Sequence, residues 1–134
     1  MKKISIPIPD DEEVVVLEAL INDKNELLLA LDTAATHTTV DSNALHLFGF
    51  SLGKSKERVE VETSNGIIIT EIYVLPKLEV LGIVETNFSV QVYDFIAHGI
   101  TSNYDGVLGL DFFHKTDLLL QWLLKYPHTR PGYC

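Results

Sequence analysis

The sequence predicts an all-β fold, a small closed barrel with one or two short helices. Three observations carry this. Short apolar runs separated by turn-forming residues fill most of the chain, and residues 59–63 alternate valine with glutamate in the period of two of a half-buried strand. Only two segments carry helix-boundary signals. With 134 residues, 46% of them hydrophobic, the chain fits a single domain over residues 1–134. That length can bury a core without a metal or disulfide scaffold.

Residues 14–21 and 27–31 read as strands joined through Asn22, Asp23, Lys24 and Asn25, a sequence suited to a tight turn. The second strand runs directly into Asp32, followed by Thr33, Ala34, Ala35 and Thr36. A strand so apolar is expected to be buried, and a carboxylate at its exit is costly unless it is hydrogen-bonded, paired or used. This loop is therefore expected to hold a reactive acid at the floor of a cleft. Residues 42–48 read as a short helix, capped by Asp41 or Ser42 and stopped by Gly49.

Residues 59–63 and 67–75 flank Ser64, Asn65 and Gly66, and Asn-Gly is a strong hairpin signal because both residues tolerate positive φ. A long hairpin with its tip near Asn65 and Gly66 is expected. A second hairpin is expected from residues 78–84 and 87–95 around Glu85 and Thr86, with Phe88, Val90 and Val92 on one face and Ser89, Gln91 and Tyr93 on the other. Asp105-Gly106 reads as a turn and Val107-Leu108 as a short strand before Gly109. Asp111 reads as the cap of a second short helix over residues 112–116. Residues 118–124 fit a final strand as well as a helix.

Composition excludes several classes of function. The formal charge of -9, from 19 acidic against 10 basic residues, opposes nucleic-acid binding. The acidic cluster at residues 10–13 reads as a solvated loop. Cys134 is the sole cysteine, so no intrachain disulfide can form, and a catalytic thiol is not expected at a chain end. No apolar run is long enough to span a bilayer. Met1-Lys2-Lys3 is followed by too short and too proline-rich a stretch for a signal peptide, which leads to the expectation of a cytoplasmic protein. The five histidines, His37, His46, His98, His114 and His128, show no metal-ligand spacing, and no metal or other cofactor is expected. His37 sits beside the Asp32 loop, where it could line a cleft.

Asp32-Thr33-Ala34-Ala35-Thr36 resembles the Asp-Thr/Ser-Gly-Ala-Ser/Thr signature of the retropepsin-like aspartic proteases. Further along, Asp105-Gly106-Val107-Leu108-Gly109-Leu110-Asp111-Phe112-Phe113 resembles the second hallmark of that family, and a hairpin with a glycine tip lies between the two, where the family carries its flap. The resemblance covers roughly residues 14–116. It implies an aspartic endopeptidase acting on extended peptides, in which two carboxylates share one proton and activate a water. This chain carries one signature, so the resemblance also implies a homodimer with Asp32 and its symmetry mate on the two-fold axis.

By the same resemblance, Thr33 reaches across the dimer axis and Thr36 hydrogen-bonds the outer oxygen of the aspartate. Asn65, Gly66 and Ile67 form the flap tip, and Val107, Leu108 and Gly109 line or support the loop beneath the aspartates. Residues 3–8 and 118–124 are expected to interleave across the dimer. Ala34 stands where the family usually has glycine, and Leu110 where retroviral members usually have arginine. The alternative reading is a barrel of the same fold that binds peptides or mediates assembly without hydrolysis. An unrelated small β-domain, with Asp32-Thr33 as a simple turn initiator, is a more distant one.

Overall fold

The computed structural model describes residues 2–9, 14–50, 58–63, 66–100 and 102–123. Nine strands account for most of them: β1 (Lys2–Pro9), β2 (Val16–Ile21), β3 (Asn25–Leu31), β4 (Thr39–Asp41), β5 (Arg58–Thr63), β6 (Gly66–Val80), β7 (Ile83–Tyr93), β8 (Gly106–Leu108) and β9 (Thr116–Leu123). One α-helix, α1 (Ser42–Leu47), and two 3-10 turns, Ile96–His98 and Leu110–Phe113, complete the set.

Six strands close a barrel in the order β2-β3-β8-β4-β7-β6, with β6 pairing back onto β2. Closure removes the free edges that an open sheet would expose. Inside lies one core that includes Ile21, Leu27, Leu29, Val40, Leu45, Leu75, Leu78, Val90, Leu108 and Phe112. Strand β5 stays outside the ring and pairs only with the first part of β6, so the two project as a hairpin arm.

The first turn forms as expected: Asn22 and Asp23 both take positive φ, and the Lys24 N–H donates to Ile21 O over 3.0 Å. Helix α1 is also as read, with the Asp41 carboxylate accepting the Asn43 N–H and Gly49 at φ +87° just past the end. The second hairpin differs. β6 runs unbroken to Val80 and turns at Leu81-Gly82, both at positive φ, rather than at Glu85-Thr86. The strands expected over residues 67–75 and 78–84 are one, with Pro76 inside β6 opposite Asn87, which takes φ +51°.

At that point the inward face changes. Leu78, Val80 and Ile83 are buried on one side of it, and Leu75, Phe88, Val90 and Val92 on the other, so each half of the long hairpin faces the core. Phe88, Val90 and Val92 therefore share an inward face, as predicted.

Two further corrections concern the C-terminal half. Gly106 is not a turn residue but the first residue of β8, where a Cβ would collide with Thr39 O and come within 3.0 Å of Val40 Cα on the neighbouring strand. Asp111 caps nothing: the second short helix is a 3-10 turn that starts earlier, at Leu110, after Gly109. Residues 118–123 are part of the strand β9, and Leu124 lies outside the described residues. β9 pairs with β1 of the same chain, in parallel, from Lys2↔Thr116 to Pro9↔Leu123.

Candidate functional site

The signature loop leaves the barrel at the end of β3. That strand alternates at first, with Leu27 and Leu29 1% and 0% exposed and Leu28 41% exposed, and buries both faces only at its end, where Ala30 is 5% exposed. Asp32 itself is exposed, not buried at a cleft floor as its apolar approach suggested. The parallel pairing of β3 with β8 ends at Leu31↔Leu108, and the Asp32 N–H then donates to Leu108 O over 3.1 Å. Past that point the loop folds on itself. The Ala34 N–H donates to Asp32 Oδ1 over 2.9 Å and the Ala35 N–H to Asp32 O over 3.1 Å. The carboxylate is thus oriented by a backbone amide, and Oδ2 has no partner among the described residues.

Ala34 is exposed and is not among the residues with positive φ, so its methyl group causes no backbone strain where the signature usually has glycine. The Thr33 hydroxyl is exposed and without a partner among the described residues. Thr36 does not reach Asp32: its Oγ1 lies 2.9 Å from His37 Nδ1.

A second loop holds the first from below. Leu110 N–H donates to Ala35 O over 2.9 Å. Gly109 packs so closely under the loop that a Cβ would lie 2.8 Å from His37 C, 2.9 Å from His37 O and 3.0 Å from Ala35 O. The group that joins the two loops is Thr38, fully buried and using all its polar atoms. Its N–H donates to Asp111 Oδ2 over 3.0 Å and its hydroxyl to Asp111 Oδ1 over 2.8 Å. The same hydroxyl accepts the Gly109 N–H at 3.1 Å, and Thr38 O accepts the Gln91 N–H at 2.9 Å.

Phe112 anchors this second loop in the core, 0% exposed and edge-on to both Phe88 and Phe113. Asp105 laces the next level down. Its carboxylate accepts the Leu28 N–H over 2.9 Å, its N–H donates to Leu28 O, and its carbonyl accepts the Asp41 N–H. Asp111 therefore spends both carboxylate oxygens on Thr38 and Asp105 spends Oδ2 on the Leu28 amide, both from half-buried positions, while Asp32 is the exposed one of the three.

Against the far part of the signature loop opens a cleft of about 530 Å³, which Asp32 itself does not line. One wall is the loop, through Ala34, Ala35, Thr36 and His37, with Thr39 and Gln91 behind it; the other is the arm strand β5 over residues 59–62. Of the expected site residues, the fold brings Asp32, Thr33, Ala34, Ala35 and Thr36 together with Val107, Leu108 and Gly109. Gly66, at φ +115°, and Ile67, 68% exposed, begin the return strand of the arm, while Ser64 and Asn65 lie outside the described residues. Thr38 and the loop-locking role of Asp111 escaped the sequence reading. The available signal was parity: Thr38 is two residues before Val40 and so shares its inward face.

Groups that could hold a metal ion are absent among the described residues: no cluster of three His, Cys, Asp or Glu side chains forms. No described helix is long and apolar enough to cross a membrane.

The comparisons with known proteins agree with this geometry. The family model for aspartyl proteases matches residues 17–112, a span that contains both loops and the arm. Among solved structures, the fold matches a retropepsin-like aspartic protease from Rickettsia conorii with a TM-score of 0.63 at 18% identity, covering 81% of this chain and 76% of that one. Among curated proteins none matches. A family match over most of the barrel, together with the same fold, places this chain in the retropepsin-like family of aspartyl proteases.

Proposed function

We propose that this chain is an aspartic endopeptidase whose active site is completed by a second copy of itself. The observation that carries the reading is the state of Asp32. It is held by its own loop, exposed, and its Oδ2 has no partner among the described residues, whereas Asp105 and Asp111 are half-buried and tie the second loop to Leu28 and Thr38. Two-carboxylate hydrolysis needs a second acid within about 3 Å, and the described residues of one chain offer none in that setting. A two-fold axis at the loop would supply it, with the unpartnered Thr33 hydroxyls meeting across the axis.

In such a dyad one carboxylate takes a proton from bound water as the other donates to the scissile carbonyl oxygen. The pair titrates in two separated steps because like charges so close cannot both ionise cheaply. The arm would act as a flap through Gly66 and Ile67, closing over an extended peptide and excluding water. The peptide would add as a strand, with backbone hydrogen bonds supplying affinity and the cleft against the signature loop taking one side chain.

The test is cleavage of an unfolded protein by the wild-type chain and by Asp32→Asn. The variant should stay folded and dimeric and lose cleavage; undiminished cleavage would sink the proposal. A crystal or solution dimer supplies the independent check, since the two Asp32 carboxylates must lie in contact.

A further inference from the structure

Two strands stand apart from the barrel. β1 and β9 form a two-stranded sheet of their own, in register from Lys2↔Thr116 to Pro9↔Leu123, and neither pairs with another strand among the described residues. Two strands alone are marginally stable in water, and an independent sheet needs three or more. Each of the two also keeps one open edge, a row of backbone groups ready to pair with another chain.

The two edges are built differently. β1 reads Lys-Lys-Ile-Ser-Ile-Pro-Ile-Pro, and lysine and proline are the residues with which natural sheets blunt an outer edge. Pro7 and Pro9 are two residues apart, so their nitrogens point to the same side of the strand. Neither has an N–H to give to a ladder, and the ladder to β9 runs through both positions, so that side is the outer one. β9 reads Thr-Asp-Leu-Leu-Leu-Gln-Trp-Leu, with no proline, no lysine and Asp117 as its one charge. It has the composition of an interior strand, yet within one chain it has a neighbour on one side only.

Its place in the fold indicates what covers the other side. His114 and Lys115 alone separate β9 from the 3-10 turn Leu110–Phe113, and the first N–H of that turn donates to Ala35 O in the Asp32 loop. Leu110 itself is 43% exposed. A two-fold axis beside Asp32 therefore carries the β9 strands of two copies toward each other. A strand that meets its own copy across such an axis pairs antiparallel and is self-complementary by symmetry. With a formal charge of -9 on each chain, β9 is a favourable place for that contact, since each copy brings a single carboxylate to it.

We propose that β9 pairs with β9 of a second copy, giving a four-stranded sheet in the order β1-β9-β9-β1 in which each β1 stays with its own chain. This rests on the second copy invoked above and adds how the two copies join. The first and last strands do not exchange between chains, as the resemblance implied; each chain closes its own pair, and the pairs meet edge to edge.

The experiment uses the full chain with Cys134→Ser as background. Leu118→Cys, Leu119→Cys, Leu120→Cys, Gln121→Cys, Trp122→Cys and Leu123→Cys are made singly, oxidised and run on a non-reducing denaturing gel. An antiparallel two-fold pair sets one β9 position opposite itself, so the covalent dimer should peak at one of these positions. It should be absent from Ile4→Cys, Ile6→Cys and Ile8→Cys in β1. The double variant Ile6→Cys/Leu120→Cys joins register partners of one chain. Once oxidised it should run as a single chain on the gel, sediment as a dimer without denaturant, and cleave peptides at the rate of the background chain. A covalent dimer from the double variant means exchanged strands and overturns the proposal. An oxidised double variant that sediments as a monomer overturns it too, because the intrachain pair then excludes the second copy, and so does a scan with no peak in β9. A crosslinked β9 dimer from a chain that cleaves nothing leaves the sheet standing and removes the protease reading, so the two failures are distinct.

Discussion

The two walls of the cleft are built on opposite terms. The loop wall, residues 32–38, is tied to residues 108–111 by hydrogen bonds from both backbone and side chains, around a fully buried threonine and a glycine with no room for a methyl group. The arm wall, β5 with the start of β6, pairs on one side only and leaves Ile67 and Ile69 68% and 59% exposed. A fixed acid needs the first design, because catalytic geometry tolerates little displacement. A wall that must admit a polypeptide and then cover it needs the second, with few buried contacts to break.

Substitutions can break or sharpen that contrast. The largest effect is expected for Asp32→Asn, a loss of about 10²- to 10⁴-fold in peptide cleavage with the thermal midpoint unchanged, since the exposed carboxylate supports no core contact. Gly109→Ala should come next, because its methyl would press on the backbone of His37 and Ala35. Overpacking of this kind costs about 1–3 kcal/mol in denaturant unfolding, with activity falling alongside.

Thr38→Val should cost a comparable or somewhat smaller amount, about 1–3 kcal/mol, because it strands the Gly109 N–H and takes one donor from Asp111. Ile67→Ser on the arm should change stability by no more than about 0.5 kcal/mol while lowering kcat/KM for peptides. An arm substitution that destabilised the fold as much as Gly109→Ala would erase the distinction between the walls.

The smallest effect lies away from both walls. The Ala97 N–H and then the Asn43 side chain, both donating to Asp94, hold its carboxyl below the usual aspartate range. A depressed folded-state value contributes stability above the ordinary carboxylate range and loses it as pH falls through that range. Asp94→Asn should therefore lower stability slightly at neutral pH, leave it unchanged at strongly acid pH, and so flatten the acid limb of the stability–pH curve, as followed by thermal unfolding.

Local chemistry made much of this molecule readable. The turn at Asn22 and Asp23, the Asp41-capped helix, the alternation in β5 and the inward set Phe88, Val90 and Val92 all follow from φ preference, capping or period-two patterning within a few residues. The misreadings share a different cause. The strands expected over 67–75 and 78–84 proved to be one, because a proline inside β6 is tolerated only through what lies opposite it. Leu81 passed for a strand residue because a leucine at positive φ is unusual. Asp111 passed for a cap because its true partner, Thr38, is far away in sequence.

By itself the sequence determined the all-β class, the acid-bearing loop, the second hallmark and the order in which they occur, since propensity and motif act over short stretches of chain. Only the tertiary structure decided that Asp32 would be exposed, that Asp105 and Asp111 would be tied to Leu28 and Thr38, and that Thr38 would join the two loops. Those outcomes depend on β3, β4 and β8 lying side by side, a long-range pairing that no local pattern encodes.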